Sequence, residues 1–396
     1  KAVYPHPVFK EQLAETYGVM VYQEDVMKIG HYYGGLDLAD ADVLRRMMSG
    51  KTRSKEKLDE IALRFFDHCK AKNYPEATSR EIWRQMESFA GYSFNKAHSA
   101  SFAVESYQSL YLKTYYPLEF MVAVLNNYGG FYRRKVYVNE AKRAGAVIRL
   151  PCVNNSIFNT SIKGKDIYLG YDCLLNLESD LARLIPQEAA INGNYTSLEN
   201  FVLRTGIKLE QLIVLIRCGA FRFTGIGKKE LLWEAHLLAS HKSEHPNRRL
   251  FENSMRKPVL PKLDTSILED IYDEMELIGF PVSATVFDLL KSDYRGTATA
   301  RDLMRLEGET VRIVADFVCD KDVRTKSVQR MKFGTFLDVN GDFIDTVHFP
   351  PQLKAYPLLG DGVYLIQGRV VSDFGCPAIE VEKCAKMPMK HDPRAL

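Results

Sequence analysis

From residue 309 to residue 384 the chain abandons helical periodicity and takes up runs of strand length. Five of them, 310–318, 332–339, 343–349, 362–371 and 378–384, are rich in Val, Ile, Phe and Thr. Asn340-Gly341 falls between two of these runs and is the strongest short-range hairpin signal. Five short strands within about 80 residues suit a small closed barrel such as an OB-fold, since closure removes the exposed edges. Earlier segments have a different texture. In 55–69, Leu58, Ile61, Ala62, Phe65, Phe66 and Cys69 form one apolar helical stripe. Thr78-Ser79-Arg80-Glu81 has capping-box spacing and predicts a helix start. A further helix is expected to open near 95–99, pass through Phe102, Val104, Tyr107, Leu110 and Tyr111, and stop before Pro117.

Residues 128–171 mix a short helix with an expected hairpin around Lys163-Gly164-Lys165. Short helices with glycine-bearing turns return over 172–245, and 246–261 is basic and proline-flanked, as an exposed connector would be. The 396 residues therefore make a multidomain α+β chain. No apolar run approaches the roughly 20 residues of a bilayer span, and 1–17 lacks the apolar core of a signal peptide. The seven cysteines are scattered and never paired as C-x-x-C, so reduced thiols and a cytoplasmic location are expected. A net charge of +3 is too small to name a polyanionic partner, which leaves local clusters to do so. Lys rather than Met stands first, which suggests a piece of something longer.

Three segments carry phosphate chemistry. Arg45-Arg46, with Lys51, Lys55 and Lys57 close behind, could grip a polyanion through guanidinium forks, or could be a solvated basic helix face. Phe89 to Ser101 runs an aromatic, glycine-bearing loop into a helix start bearing Asn95, Lys96 and His98. That is either an anion site or a buried loop with a capped helix. Gly225-Ile226-Gly227-Lys228-Lys229 has the helix-hairpin-helix pattern, in which glycines let backbone amides approach a phosphate and Ile226 anchors the turn. A plain tight turn is the alternative. No metal-ligand pattern and no pair of strand-framed acids for two-metal phosphoryl transfer is present.

Tyr17-Gly18-Val19-Met20-Val21-Tyr22-Gln23-Glu24-Asp25-Val26-Met27, Leu44-Arg45-Arg46-x-Met48 and Phe89-Ala90-Gly91-Tyr92-Ser93-Phe94-Asn95-Lys96-Ala97-His98 together resemble one family, the bacterial DNA polymerase III alpha subunit. Ser106-Tyr107-Gln108 and Lys113-x-x-Tyr116-Pro117 continue the likeness. The resemblance implies the latter fingers with a small mixed connector over 1–171, a tandem helix-hairpin-helix and clamp-binding domain over 172–296, and an OB-fold domain over 297–396. It implies that the palm, with its aspartates and Mg2+, lies upstream of residue 1, so that this part is inactive alone. Arg45, Arg46, Lys51, Asn95, Lys96 and His98 would contact the incoming deoxynucleoside triphosphate, His98 beside the sugar. Gly225, Ile226, Gly227, Lys228 and Lys229 would contact primer-template DNA.

The likeness has gaps. The first hairpin, Leu174-Leu175-Asn176-Leu177-Glu178, lacks glycine and is expected to be structural only. The sliding-clamp motif survives only as Asn247-Arg248-Arg249-Leu250-Phe251, where Leu250 and Phe251 are the anchor. The segment that meets the clamp loader, one of the other replisome subunits, is expected to be missing, which fits an accessory polymerase. In the barrel, Arg324, Lys326, Arg330, Lys332, Phe333 and Phe336 are candidates for holding single-stranded template, among Asp338, Asp342 and Asp345. A different class remains open: a stand-alone nucleic-acid-binding protein joining a helix-hairpin-helix unit to an OB-fold.

Overall fold

The computed structural model describes residues 3–48, 55–89, 95–128, 130–241, 261, 263 and 266–395. Two units divide the chain, Lys1–Leu112 and Lys113–Leu396. In the first, α1 (Pro7–Gln12), α2 (Gln23–Tyr32), α3 (Leu38–Met48), α4 (Lys55–Ala71) and α5 (Glu76–Ser88) precede α6 (Lys96–Tyr115), which runs on into the second unit. The stripe read from the sequence is the buried face of α4. Ile61, Phe65 and Cys69 are buried with Phe9, Ile29, Tyr33, Leu44 and Met86, while Leu58, Ala62 and Phe66 flank them. Gly34 makes this closeness feasible, since a Cβ there would lie 2.1 Å from the Phe65 ring. The capping-box expectation fails: α5 starts earlier, at Glu76, after Pro75. Ser79 instead lies inside the helix, buried, with its hydroxyl 2.9 Å from the Tyr33 hydroxyl. Helix α6 has the expected span but no buried residue.

The second unit continues with α7 (Pro117–Asn126), α8 (Arg134–Arg143) and a small sheet of β1 (Val147–Arg149), β2 (Ser161–Lys163) and β3 (Asp166–Tyr168). Strands β2 and β3 form the expected antiparallel hairpin, and β1 joins β3 in parallel. Helices α9 (Ser179–Asn192), α10 (Leu198–Thr205), α11 (Leu209–Arg217), α12 (Lys228–His241) and α13 (Ile267–Leu277) follow. One core, with members from Leu125 to Val282, joins the sheet region to these helices. In the first hairpin Asn176 adopts φ 67°, the left-handed conformation that glycine usually supplies. That explains how a turn without glycine can form.

The barrel is closed in the order β4 (Thr310–Arg324), β5 (Arg330–Leu337), β6 (Phe343–His348), β8 (Cys376–Lys386), β7 (Val363–Asp373), with α14 (Pro350–Ala355) between β6 and β7. β6 and β8 pair in parallel and the other neighbours are antiparallel. The Asn340-Gly341 turn is wider than a two-residue hairpin. Buried Asp338 accepts from the amides of Asn340 and Asp342, at 2.8 and 2.9 Å, and from Ala300, at 2.9 Å. The acid therefore organises the loop as an Asx-type turn.

His348 is fully buried in the barrel, with Nε2 3.0 Å from the Thr346 hydroxyl. Its Nδ1 has no partner among the described residues. Burial pulls the imidazole down to about 4, helped by the Lys332 charge. The unfolded chain therefore takes up this proton first as pH falls. Stability is complete above the unfolded value near 6.5 and is lost towards pH 4. The loss reaches about 3 kcal/mol from this group. Thermal unfolding at pH 7 and pH 5 should show a smaller acid-induced drop in Tm for His348→Gln than for the unsubstituted chain.

Candidate nucleic-acid interface

Helix α2 begins with a turn that holds two distant segments. Asp25, buried, accepts from the amides of Val21 and Tyr22 at 3.0 and 2.9 Å and so caps the helix. The next residue back, Glu24, reaches α6: Oε1 accepts from Asn95 Nδ2 at 2.5 Å and Oε2 from the Lys96 amide at 3.0 Å. Asn95 Oδ1 in turn accepts from the His98 amide at 2.8 Å, which makes it the N-cap of α6. Gln23 Oε1 accepts from Arg45 Nη1 at 3.3 Å. Adjacent residues of one turn thus hold Arg45 of α3 and Asn95 of α6, which brings those two sequence-predicted site residues together.

Each of the cations there has a carboxylate partner. Asp42 accepts from Arg45 Nε at 2.9 Å and from Arg46 Nε at 2.8 Å. Those bonds hold its carboxyl below the ordinary carboxylate range. Glu15 pairs with the Lys96 ammonium, which also lies 5.8 Å from the Tyr22 ring centroid. The bond from Lys96 lowers the Glu15 carboxyl, and its reciprocal raises Lys96. Of the two readings the sequence leaves open at the start of α6, the geometry has the capped helix: the amides of Lys96 and His98 are taken by Glu24 and Asn95, and a carboxylate at a helix N-terminus is electrostatically favourable. His98 stacks edge-on against Phe102 at 4.4 Å between centroids. Lys51 lies outside the described residues.

The second hairpin runs from α11 to α12. Gly225 has φ 70°, and a Cβ there would meet nothing within 4 Å. The amides of Gly227, Lys228, Lys229 and Glu230 donate no hydrogen bond among the described residues, the ordinary condition of a helix start. One expectation needs correction. Ile226 is not buried as an anchor; it is 36% exposed, while Phe221 and Leu231 fill the core on either side. The lysine ammonium groups are both held in ion pairs. Lys228 Nζ is 2.5 Å from Asp270 and 2.8 Å from Asp273, and Lys229 Nζ is 3.1 Å from Glu269, all on α13. Asp273, 3% exposed, also receives Arg217 at 2.8 Å and Arg394 at 2.5 Å. Neither Arg217 nor Arg394 carries a sequence signal for this role, since their partner lies 56 and 121 residues away.

In the barrel, Phe336 is fully buried, edge-on to Phe317 and Tyr364, and cannot be a stacking platform. Phe333 is 44% exposed on the outer face. Arg330 pairs with Asp322 at 2.7 Å and Lys332 with Asp320. Asp342 binds Arg143 and Arg301 at 2.6 and 2.7 Å, and Asp345 accepts from the Thr335 hydroxyl at 2.9 Å. Leu250 and Phe251 lie outside the described residues. Among the described residues no cluster of three or more His, Cys, Asp or Glu side chains could hold a metal ion. No described helix is long and apolar enough to cross a membrane.

A helical, cation-bearing first unit is followed in the chain by a glycine-turn hairpin and a closed five-stranded barrel, an arrangement suited to gripping phosphates. Residues 1–73 match the finger domain of the bacterial DNA polymerase III alpha subunit, and residues 145–231 match the helix-hairpin-helix motif. The chain is 30% identical to the DNA polymerase III subunit alpha of Borreliella burgdorferi over 403 residues, covering 96% of this chain and 35% of that protein. It is 30% identical to the DNA polymerase III subunit alpha of Aquifex aeolicus, covering 88% of this chain and 30% of that protein. It is 31% identical to an error-prone DNA polymerase of Mycolicibacterium paratuberculosis, covering 72% and 25%. The chain belongs to the bacterial DNA polymerase III alpha subunit family and spans about a third of the length of these relatives. A stand-alone hairpin-and-barrel protein would not carry the finger-domain match.

Asp273→Asn should leave three cations without their buried carboxylate and lower stability by about 3 kcal/mol. Urea unfolding of the purified chain reads this as a lower midpoint at unchanged m-value.

Proposed function

We propose that the whole protein is a template-directed DNA polymerase acting in DNA replication, and that this chain supplies contacts to the incoming nucleotide and to DNA. The observation that carries the reading is the shared first turn of α2, which ties Arg45 to Gln23 and Asn95 to Glu24. Arg45, Arg46 and Lys96 then form one cationic cluster for a triphosphate. The primer 3′-hydroxyl attacks the α-phosphate and pyrophosphate leaves. Guanidinium charge stabilises the negative charge that develops on the departing oxygens, more so in a closed site from which water is excluded. His98, at the first turn of α6, would stand beside the sugar and disfavour ribonucleotides. Metal ions, where the whole enzyme holds them, supply charge neutralisation; the fingers cations orient the phosphates.

In the same reading the hairpin at 225–229 touches the backbone of primer-template DNA, which positions the duplex without reading its sequence. The outer face of the barrel around Phe333 would hold single-stranded template, and Leu250 with Phe251 would make a weak contact to a sliding clamp. The functional division 1–171, 172–296 and 297–396 crosses the core shared from Leu125 to Val282, so the connector is mechanically part of the hairpin region.

In the full-length protein, Arg45→Ala should lower kcat/KM for each deoxynucleoside triphosphate about 10- to 100-fold. Primer extension measures this, and wild-type nucleotide kinetics in that variant would remove the triphosphate role.

A further inference from the structure

Resting on the DNA-binding reading of the hairpin, we propose that Glu269 and Asp270, on the outer face of α13, set the affinity of the hairpin for DNA by occupying its lysines in place of phosphate. Four observations carry this. First, the backbone side of the hairpin is open, as shown by the unhindered Cβ position on Gly225 and the four amides at the start of α12 that donate no bond among the described residues. A phosphate can approach there without moving any protein backbone. Second, the side-chain half of the same site is filled by the protein's own anions, Glu269 on Lys229 and Asp270 on Lys228.

Third, the carboxylates differ in how firmly they are held. Asp273 is 3% exposed and ligated by Lys228, Arg217 and Arg394, so it is a fixed part of the core. Asp270 has a side chain 51% exposed and Lys228 is its partner in the structure; Glu269 holds Lys229, whose side chain is 38% exposed. Lys228 and Glu269 are less exposed, at 21% and 23%, but each pair keeps one member open to water, which screens it and lets another anion exchange in. Fourth, the cavity between the hairpin and α13 is lined by Arg217, Arg222, Lys228 and Lys229 on one side and by Glu269 and Asp270 on the other. The cavity thus opens onto the paired charges, and a phosphate entering it would compete with Glu269 and Asp270 for the lysines.

A duplex that binds the hairpin must therefore break two weak ion pairs and tolerate two nearby carboxylates. Lys228 exchanges Asp270 for phosphate while keeping its bond to Asp273, and Lys229 exchanges Glu269. Glu269 and Asp270 act as a competitor of fixed local concentration. They make DNA binding weaker and less steep in salt than the four cations alone would give, because high salt also loosens the competing pairs.

The test uses the 396-residue chain and a fluorescent primer-template duplex, with anisotropy titrations from 50 to about 200 mM salt. The isosteric double variant E269Q/D270N leaves Asp273 intact. It should bind about three- to thirty-fold more tightly than the unsubstituted chain. Its log K against log salt slope should steepen by roughly one. A charge-matched control, E199Q/E210Q on α10 and α11, should bind like the unsubstituted chain, and adding Lys229→Ala to E269Q/D270N should abolish most of the gain. Circular dichroism and urea midpoints check that each variant folds. If the chain binds duplex but E269Q/D270N matches it in affinity and slope, or E199Q/E210Q gains equally, the competitor role is overturned while DNA binding stands. If no variant binds duplex even at the lowest salt, the DNA-binding reading of the hairpin falls, and this inference with it.

Discussion

A carboxylate at the end of one helix answers the backbone of another 72 residues later: Glu24 on the Lys96 amide and the Asn95 side chain. The rest of the first unit's chemistry depends on that contact. Asp25 satisfies the loose amides at the start of α2, which leaves Glu24 and Gln23 to point outward. Glu24 then neutralises the positive end of α6, and a negative group at a helix N-terminus is stabilising there. The residue types of the α6 start follow. Asn95 can cap the helix through Oδ1 and still donate through Nδ2, which a capping carboxylate of Asp, an acceptor only, could not do.

The same motif, an anion of the protein standing where a phosphate could stand, recurs three times. Asp42 sits on Arg45 and Arg46, Glu15 on Lys96, and Glu269 with Asp270 on the two hairpin lysines. Clusters of like charge repel, and an arginine pair or lysine pair without counter-charge would destabilise its own fold. Internal carboxylates solve this at the cost of competing with the ligand. Exposed pairs keep the competition weak, whereas Asp273 shows the other limit, a buried anion whose three partners fix the hairpin, α13 and the chain's last residues together.

Helix α6 is the feature whose sequence and structure diverge most. Its apolar residues Phe102, Val104, Tyr107, Leu110 and Tyr111 read as a core face, yet all are more than half exposed. Val104, Tyr107, Leu110 and Tyr111 fall on one face of the helix, and that face is exposed. In a family whose known members are about three times as long, such a helix is no contradiction.

Sequence alone settled whatever depends on neighbours along the chain. The period of two in the barrel strands, the stripe of α4, the glycine turns and the spacing of Asp42 from Arg45 and Arg46 are local, so their consequences appear in the residues themselves. Phe333 and Phe336 both read as candidates for holding template, although residues an odd number of positions apart on one strand face opposite ways. Which of them points inward was decided only by closure of β5 against β4 and β6, which buries Phe336 and leaves Phe333 outside. The Thr78-x-x-Glu81 spacing does not mark a helix start because α5 already begins at Glu76, and the neighbouring Ser79 hydroxyl is engaged by Tyr33 from 46 residues away. Likewise nothing near Lys228 announces Asp273, 45 residues distant. Charge partners at long range leave no periodic trace, so tertiary folding alone decided which basic residues are spoken for and which anions guard them.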